Sequence, residues 1–345
     1  MKKGNKYGSH RVLEPIGVLT QAALKIDSSM DEIYSNEILC DVISLNIDSA
    51  SFTQIKNEQN GDEEKIKARI QSIVTERGKM QNPLTGSGGM FIGVVRQVGN
   101  DLKDRDLKPG DRIASLVSLS LTPLKIEKIT AVHMNIDRVD IVGKAILFES
   151  GIYAKLPSDM PETLALAALD VAGAPAQTAK LVKPGESVLI LGAAGKSGMM
   201  CCYEAKRRVG PTGRVIALVR KEEQKKMLLD NQLCHDVIIG DASNPTDVLE
   251  KALAVNKGRE YDISINCVNV EKTEMASILP VRDGGIVYFF SMATSFTKAA
   301  LGAEGVGKDV TMIVGNGYTK DHAEITLEIL RENENLRKIF NEMYV

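Results

Sequence analysis

Six short and almost uninterrupted apolar runs mark the second half of the chain, at residues 187–191, 214–219, 236–239, 261–266, 285–290 and 309–314. Runs of this length without polar alternation predict strands covered on both faces. The stretches between them carry helix signals. From Lys196 an apolar face leads to Lys206, Arg207 and Arg208, with Gly210 placed for a left-handed cap and Pro211 to stop continuation. A helix over about 222–231 follows, and Asn244-Pro245 reads as an N-cap and first helical position for another. Strands alternating with helices predict a doubly wound parallel sheet of the Rossmann kind, placed at 161–345.

Residues 1–160 have a different texture. Their apolar stretches at 38–46, 93–99 and 111–118 are short and broken by Gly, Pro and Asp. They predict antiparallel strands in a small barrel-like domain. Lys108-Pro109-Gly110-Asp111 reads as a turn before one of them. Ile66, Ile70, Ile73 and Val74 recur at helical spacing with charges between, which predicts an amphipathic helix over about 62–77 inserted in the barrel.

Composition narrows the class. A chain of 345 residues has room for two domains with cores. A net charge of −2 argues against nucleic acid or an anionic membrane as the main partner. No apolar run approaches a membrane span, and Met1-Lys2-Lys3-Gly4-Asn5 leads into polar sequence, so a cytoplasmic protein is expected. Cys40, Cys201, Cys202, Cys234 and Cys267 form no C-x-x-C pair, which predicts reduced thiols with neither a disulfide framework nor a structural zinc. Cys201 and Cys202 read as packing residues.

Chemistry enters at Gly192-Ala193-Ala194-Gly195-Lys196-Ser197-Gly198, which follows the run 187–191 and opens the next helix. Glycines let the backbone approach a pyrophosphate, and a helix N-terminus offers free N–H groups. The pattern is a G-x-x-G-x-x-G form of the dinucleotide fingerprint. Gly192, Ala194, Gly195, Lys196, Ser197 and Gly198 are therefore expected to hold a nicotinamide dinucleotide. About twenty residues on, the acid that would bond a ribose 2′-OH is replaced by Arg220 and Lys221. Those two cations favour NADP, with NAD the alternative if Arg220 is solvated or stacks on adenine. Asp241 and Ala242, Asn266 and Val268, and Ser291 end the third, fourth and fifth strands, where a dinucleotide crosses a doubly wound sheet.

The order of domains and several local patterns resemble the medium-chain dehydrogenase/reductase superfamily. The residues that carry the likeness are 39–48, Gly93-Val94-Val95-Arg96-Gln97-Val98-Gly99 with 107–113 after it, and 182–192. The resemblance implies a GroES-like catalytic domain followed by a Rossmann domain, and often a homodimer. Zinc members of that superfamily carry a Cys near the end of the first strand and a Gly-His-Glu before the "G-x-V" stretch. Here those places read Asn46-Ile47-Asp48-Ser49-Ala50-Ser51 and Gly86-Ser87-Gly88-Gly89, and a third ligand would fall near Ala167. Catalytic zinc needs three protein ligands, so no metal is expected.

More specifically, residues 8–23, 46–52 and 302–310 resemble the L-erythro-3,5-diaminohexanoate dehydrogenase family. That likeness implies NAD(P)-dependent oxidative deamination at C3, giving 5-amino-3-oxohexanoate and ammonia, in lysine fermentation. The amine must lose a proton before hydride leaves, and a carboxylate suits both that step and the cationic iminium. Asp48, beside Ser49 and Ser51, is the first candidate base; the structural alternative is an Asp capping a turn. Asp170, in the apolar stretch 167–173, is the second, and Glu14 the third. His10 and Arg11 would line a pocket for the diamino acid, Arg11 taking its carboxylate. Glu149 is a further carboxylate, while His133, His235 and His322 have no companions at metal-ligand spacing. Two other functions stay open: a zinc-free NADPH quinone or enoyl reductase, and a non-catalytic dinucleotide sensor.

Overall fold

The computed structural model describes residues 1–315 and 317–345, and the chain divides into two compact units, Met1–Ser158 and Asp159–Val345. In the first, β1 (Val12–Glu14) and β2 (Lys25–Ile26) form an antiparallel ribbon. A six-stranded antiparallel sheet is made of β3 (Glu37–Ile47), β4 (Gly89–Val98), β5 (Arg112–Ser115), β6 (Leu124–His133), β7 (Arg138–Phe148) and β8 (Tyr153–Lys155), in the order β6-β7-β3-β4-β5-β8. The central strand, β3, pairs with β7 on one side and β4 on the other. Its Ile38, Cys40, Val42 and Leu45 share one core with Phe91, Ile113, Leu124 and Val139.

Two helices leave the end of β3 and close that core, α1 (Ser49–Glu58) and α2 (Glu63–Arg77). The second is the helix expected from periodicity. Asp62 caps it, its side chain accepting from Lys65 N at 3.1 Å. Ile66, Ile70, Ile73 and Val74 are buried, each contributing about 2 kcal/mol of hydrophobic burial. It ends at Gly78, whose φ of 72° is left-handed and whose Cβ, if present, would meet Ile26 O at 2.1 Å. The first helix was not expected. Only Phe52 and Ile55 among its large apolar residues are buried, too few to register as a period. The long strands β6 and β7 were also missed, because β6 alternates only loosely and ends half-buried.

In the second unit α3 (Glu162–Leu169) and α4 (Gly173–Leu181) lead into the expected sheet. Its strands are β9 (Ser187–Leu191), β10 (Arg214–Val219), β11 (Asp236–Ile239), β12 (Tyr261–Asn266), β13 (Val281–Phe289) and β14 (Thr311–Val314). All pairings are parallel, in the order β11-β10-β9-β12-β13-β14. The crossovers are α5 (Lys196–Val209), α6 (Glu222–Asp230), α7 (Pro245–Val255), α8 (Glu274–Ile278) and α9 (Phe296–Val306). The pair α10 (His322–Glu332) and α11 (Glu334–Tyr344) ends the chain and packs on α3. Strand order reverses between β9 and β12, so their carboxyl ends flank the switch point of the sheet.

One helix end differs from expectation. Gly210 has the positive φ of 64° that favours glycine, but its ψ of −163° is not that of a left-handed cap, and the chain enters at once a short 3-10 segment, Gly210–Thr212, that contains Pro211. Cys201 and Cys202 pack as expected, fully buried, and burial pushes both thiols well up. Among the described residues no helix is long and apolar enough to cross a membrane.

The turn between β9 and α5 is tightly packed against its own backbone. A Cβ on Gly198 would lie 2.3 Å from Gly192 O and 2.6 Å from Ala193 Cα, both backbone atoms that cannot move aside. Gly198→Ala is expected to cost about 2 kcal/mol of stability, measured as a lower denaturation midpoint at unchanged m-value.

Candidate active site

The carboxyl ends of five strands bring most of the expected cofactor residues onto one rim of the second unit. The turn after β9 starts at Gly192, with φ 73°, whose N–H donates to Leu218 O of β10 at 3.1 Å. A Cβ there would press on Cys267 and Val268 at 3.0 Å, so glycine lets the turn lie against the end of β12. Gly195 is the N-cap of α5 and supplies no side-chain acceptor, leaving the first-turn N–H groups unanswered by protein side chains. A Cβ on Gly195 would meet nothing closer than 3.6 Å, an open approach to those N–H groups. This cradle fits a pyrophosphate.

The other rim residues divide. Arg220 and Lys221 follow β10 and are exposed. The Arg220 guanidinium faces Asp241 Oδ2 at 3.8 Å. Asp241 also accepts from Ser243 N at 2.9 Å and Ser243 Oγ at 2.8 Å, which hold its carboxyl below the usual range. Glu222 and Glu223 take up the first turn of α6, as expected. Ala242 packs in the core with Leu218 and Ile238, its methyl turned away from the rim surface. Asn266 is fully buried and fully used: Nδ2 donates to Thr273 Oγ1 at 2.8 Å and Ser277 Oγ at 3.0 Å, and Oδ1 accepts from Val268 N at 2.9 Å. It shapes the rim from behind and has no group left to offer. Ser291 N donates to Asn266 O at 3.2 Å, which joins the end of β13 to the same rim.

Asp170 is the C-cap of α3, half-exposed, and accepts from Lys196 Nζ at 2.6 Å. The apolar stretch around it faces inward while the carboxylate faces out. Two expected residues with different assigned roles, a base and a cofactor ligand, are thus one ion pair at the start of α5. Lys196 also lies over the Tyr344 ring, 5.6 Å from its centroid.

The first unit holds a second cluster. Asp48 is exposed and caps α1, Oδ1 accepting from Ala50 N at 3.1 Å. The same oxygen accepts from Ser87 Oγ at 3.2 Å. Ser51, fully buried on α1, lies 2.6 Å from Ser87 Oγ and 2.5 Å from Thr85 Oγ1. The segments 46–51 and 86–89, where zinc members of the superfamily carry two ligands, therefore meet here through a carboxylate and hydroxyls. Asn82 fastens them: its Nδ2 donates to Ser51 O at 3.3 Å and Gln54 Oε1 at 2.8 Å. Ser49 does not join, because its hydroxyl donates to Asp137 Oδ2. Ser87 and Thr85 escaped the sequence reading, where segment 86–89 was considered only for the histidine it lacks. Among the described residues no three His, Cys, Asp or Glu side chains are grouped to hold a metal.

Three amino-terminal candidates have other work. Arg11 is 1% exposed. Its Nε and Nη2 donate to the two oxygens of Glu37 at 2.6 and 2.7 Å, and Nη1 donates to Ser29 O at 3.0 Å. No edge of the guanidinium is left for a substrate carboxylate. His10 Nε2 pairs with Glu37 Oε1 at 2.8 Å, and Nδ1 accepts from Asn5 N at 2.9 Å. These residues pin the amino-terminal segment to β3. Glu14 ends β1, exposed to solvent and outside the cluster. Glu149 accepts from Asn36 Nδ2 at 3.1 Å, a contact that ties loops.

An antiparallel six-stranded unit followed by a doubly wound parallel sheet is a fold that solved oxidoreductase structures share. Solved structures with this fold include Escherichia coli quinone oxidoreductase complexed with NADPH, 16% identical with a TM-score of 0.53 over 92% of this chain and 83% of that one. CurK enoyl reductase is 16% identical with a TM-score of 0.54 over 97% and 88%. A family profile described as L-erythro-3,5-diaminohexanoate dehydrogenase N-terminal domain matches residues 10–157. Two proteins named L-erythro-3,5-diaminohexanoate dehydrogenase match over their full length. That of Acetoanaerobium sticklandii is 71% identical across 99% of this chain, and that of Fusobacterium nucleatum is 66% identical across 100%. The chain belongs to the L-erythro-3,5-diaminohexanoate dehydrogenase family and is an oxidoreductase.

The Glu37 pair carries a pH signature. Burial alone would raise this carboxyl, but hydrogen bonds from Arg11, His10 and Tyr34 N–H, with the Arg11 charge, bring it down to about 2. A carboxyl lowered on folding stabilises the fold above its unfolded value of 4.5, and that stability is lost as pH falls toward 2. The loss is on the order of 3 kcal/mol. Glu37→Gln, which leaves Arg11 buried without its countercharge, is expected to cost about 3 kcal/mol at neutral pH. Its unfolding free energy should also fall less steeply than that of wild type over that acid window, the remaining slope coming from other lowered carboxyls such as Asp140 and Asp262, as read by denaturant titration at several pH values.

Proposed function

We propose that this enzyme oxidises 3,5-diaminohexanoate at C3 to 5-amino-3-oxohexanoate and ammonia, with NAD and without zinc, in cytoplasmic lysine breakdown. The relatives' name supports the substrate. The meeting of Asp48 with Ser87 and Ser51, at the place where zinc members bind metal, carries the mechanism. Its donors are one carboxylate and hydroxyls, and the third place is Ala167. That set does not suit a tetrahedral zinc, which takes His, Cys or several carboxylates.

The dinucleotide would lie on the rim from Gly192 to Ser291, its pyrophosphate over the start of α5. When bound, it accepts the hydride that leaves C3. Lys196 would meet the pyrophosphate as half of an ion pair with Asp170. The preference for NADP drawn from Arg220 and Lys221 is revised here. Asp241 sits against Arg220 and would repel a 2′-phosphate, whereas a ribose hydroxyl tolerates both groups.

Asp48 performs the proton work. With Oδ1 engaged by Ala50 and Ser87, Oδ2 is free to take a proton from the C3 ammonium. The neutral amine then supplies the lone pair that forms the C=N bond as hydride departs. The same carboxylate balances the charge of the iminium. Water adds to that carbon and ammonia leaves. Overall, substrate, NAD and water give ketone, ammonium, reduced cofactor and one proton.

Two variants test these assignments. Asp48→Asn should lower kcat about a hundredfold or more with the fold intact by circular dichroism. Asp241→Asn should raise the NADP/NAD ratio of kcat/KM about fivefold, because an exposed charge contact is worth about 1 kcal/mol. An unchanged ratio would remove Asp241 from cofactor choice. NADPH consumption with quinones or enones, and no reduction of NAD or NADP by the diamino acid, would replace the deamination reading with the reductase one.

A further inference from the structure

The mechanism above leaves a row of hydroxyls unused. Ser51 Oγ, fully buried, stands between Ser87 Oγ at 2.6 Å and Thr85 Oγ1 at 2.5 Å, and Ser87 Oγ reaches Asp48 Oδ1 at 3.2 Å. Counting protons fixes the direction. An ionised carboxylate only accepts, so the one proton of Ser87 goes to Asp48. Ser87 can then accept from Ser51, which can accept from Thr85, and Thr85 Oγ1 also reaches Ser87 Oγ directly at 3.2 Å. Along the shorter contacts the chain runs Thr85 to Ser51 to Ser87 to Asp48, and its far end, Thr85, is exposed.

Protonation of Asp48 inverts that count. The carboxylic acid donates to Ser87, Ser87 to Ser51, Ser51 to Thr85, and Thr85 to water. No hydroxyl oxygen needs to move, and the atoms that carry the chain are held. Asn82 ties the α1 backbone at Ser51 to the 82–87 loop, and Asn82 N donates to Ser87 O at 3.0 Å.

We propose that Ser87, Ser51 and Thr85 form a proton relay that drains Asp48 to solvent while substrate covers its carboxylate. The proposal rests on Asp48 being the base. The N–H bond of the ammonium breaks and its proton bonds to Oδ2. A half-turn of the carboxyl about Cβ–Cγ presents that proton to Ser87 Oγ. Each hydroxyl accepts one proton and releases one, so the net change is one proton moved from Asp48 to water at Thr85. Ser87 and Ser51 never touch the reacting carbon, and in that sense they are positioning residues with a transport role.

Chemical rescue separates transport from packing. Ser51→Ala removes the middle hydroxyl and leaves only the longer direct contact between Thr85 and Ser87, and Thr85→Ala removes the exposed end that both routes share. With saturating 3,5-diaminohexanoate and NAD, each variant should show kcat lowered about tenfold and KM within twofold of wild type. Imidazole buffer should restore kcat in proportion to its concentration, and wild type should be indifferent to it. Wild-type kcat in both variants, or a loss in Thr85→Ala that no concentration of imidazole restores, would overturn the relay. Asp48→Asn serves as the separate control. If it is inactive while both hydroxyl variants are normal, the relay alone fails; if it is fully active, the reading of Asp48 as base fails with it.

Discussion

Asp48 Oδ1 accepts two hydrogen bonds at once, from Ala50 N and from Ser87 Oγ, and the first unit's chemistry depends on that double contact. The bond to Ala50 starts α1 at the end of β3. The bond to Ser87 brings in the loop before β4. Together they convert a helix cap into a junction of two segments, with one carboxylate oxygen hydrogen-bonded and the other open. A cap is ordinarily a structural device worth about 1 kcal/mol. The cap is made by one oxygen of Asp48, and the base proposed for the reaction is the other.

The cofactor rim of the second unit rests on a comparable economy of backbone. Glycine at 192 lets the turn lie against β12, and glycine at 198 lets α5 start directly over the turn. Buried side chains do the holding: Asn266 spends every polar atom on its own end of β12 and on Thr273 and Ser277. What the rim shows outward is mostly main-chain N–H, with charges placed as pairs, Lys196 with Asp170 and Arg220 with Asp241.

Much of this was legible before any coordinates. Parallel strands buried on both faces read as plain apolar runs, and the glycine turn announces itself by its place between strand and helix. The antiparallel unit was harder, since a strand such as β6, half-exposed along its length, leaves little periodic signal. Side-chain partnerships are hidden for a different reason. Arg11 and Glu37 are 26 positions apart, and nothing local tells that their charges cancel inside the fold. Arg220 looked free because Asp241 comes from another strand. Thr85 and Ser87 carried no charge and no motif, and only their meeting with Ser51 and Asp48 gives them meaning.

In the proposed reaction hydride leaves C3 of a diamino acid without help from a metal. The direct measurement is to incubate the enzyme with 3,5-diaminohexanoate deuterated at C3, NAD and EDTA, and to locate the label in the reduced nicotinamide by NMR. The account predicts deuterium at nicotinamide C4, in step with ammonia release, at a rate that chelator does not change. Deuterium lost to water, or turnover that stops on chelation and returns with zinc, would contradict it.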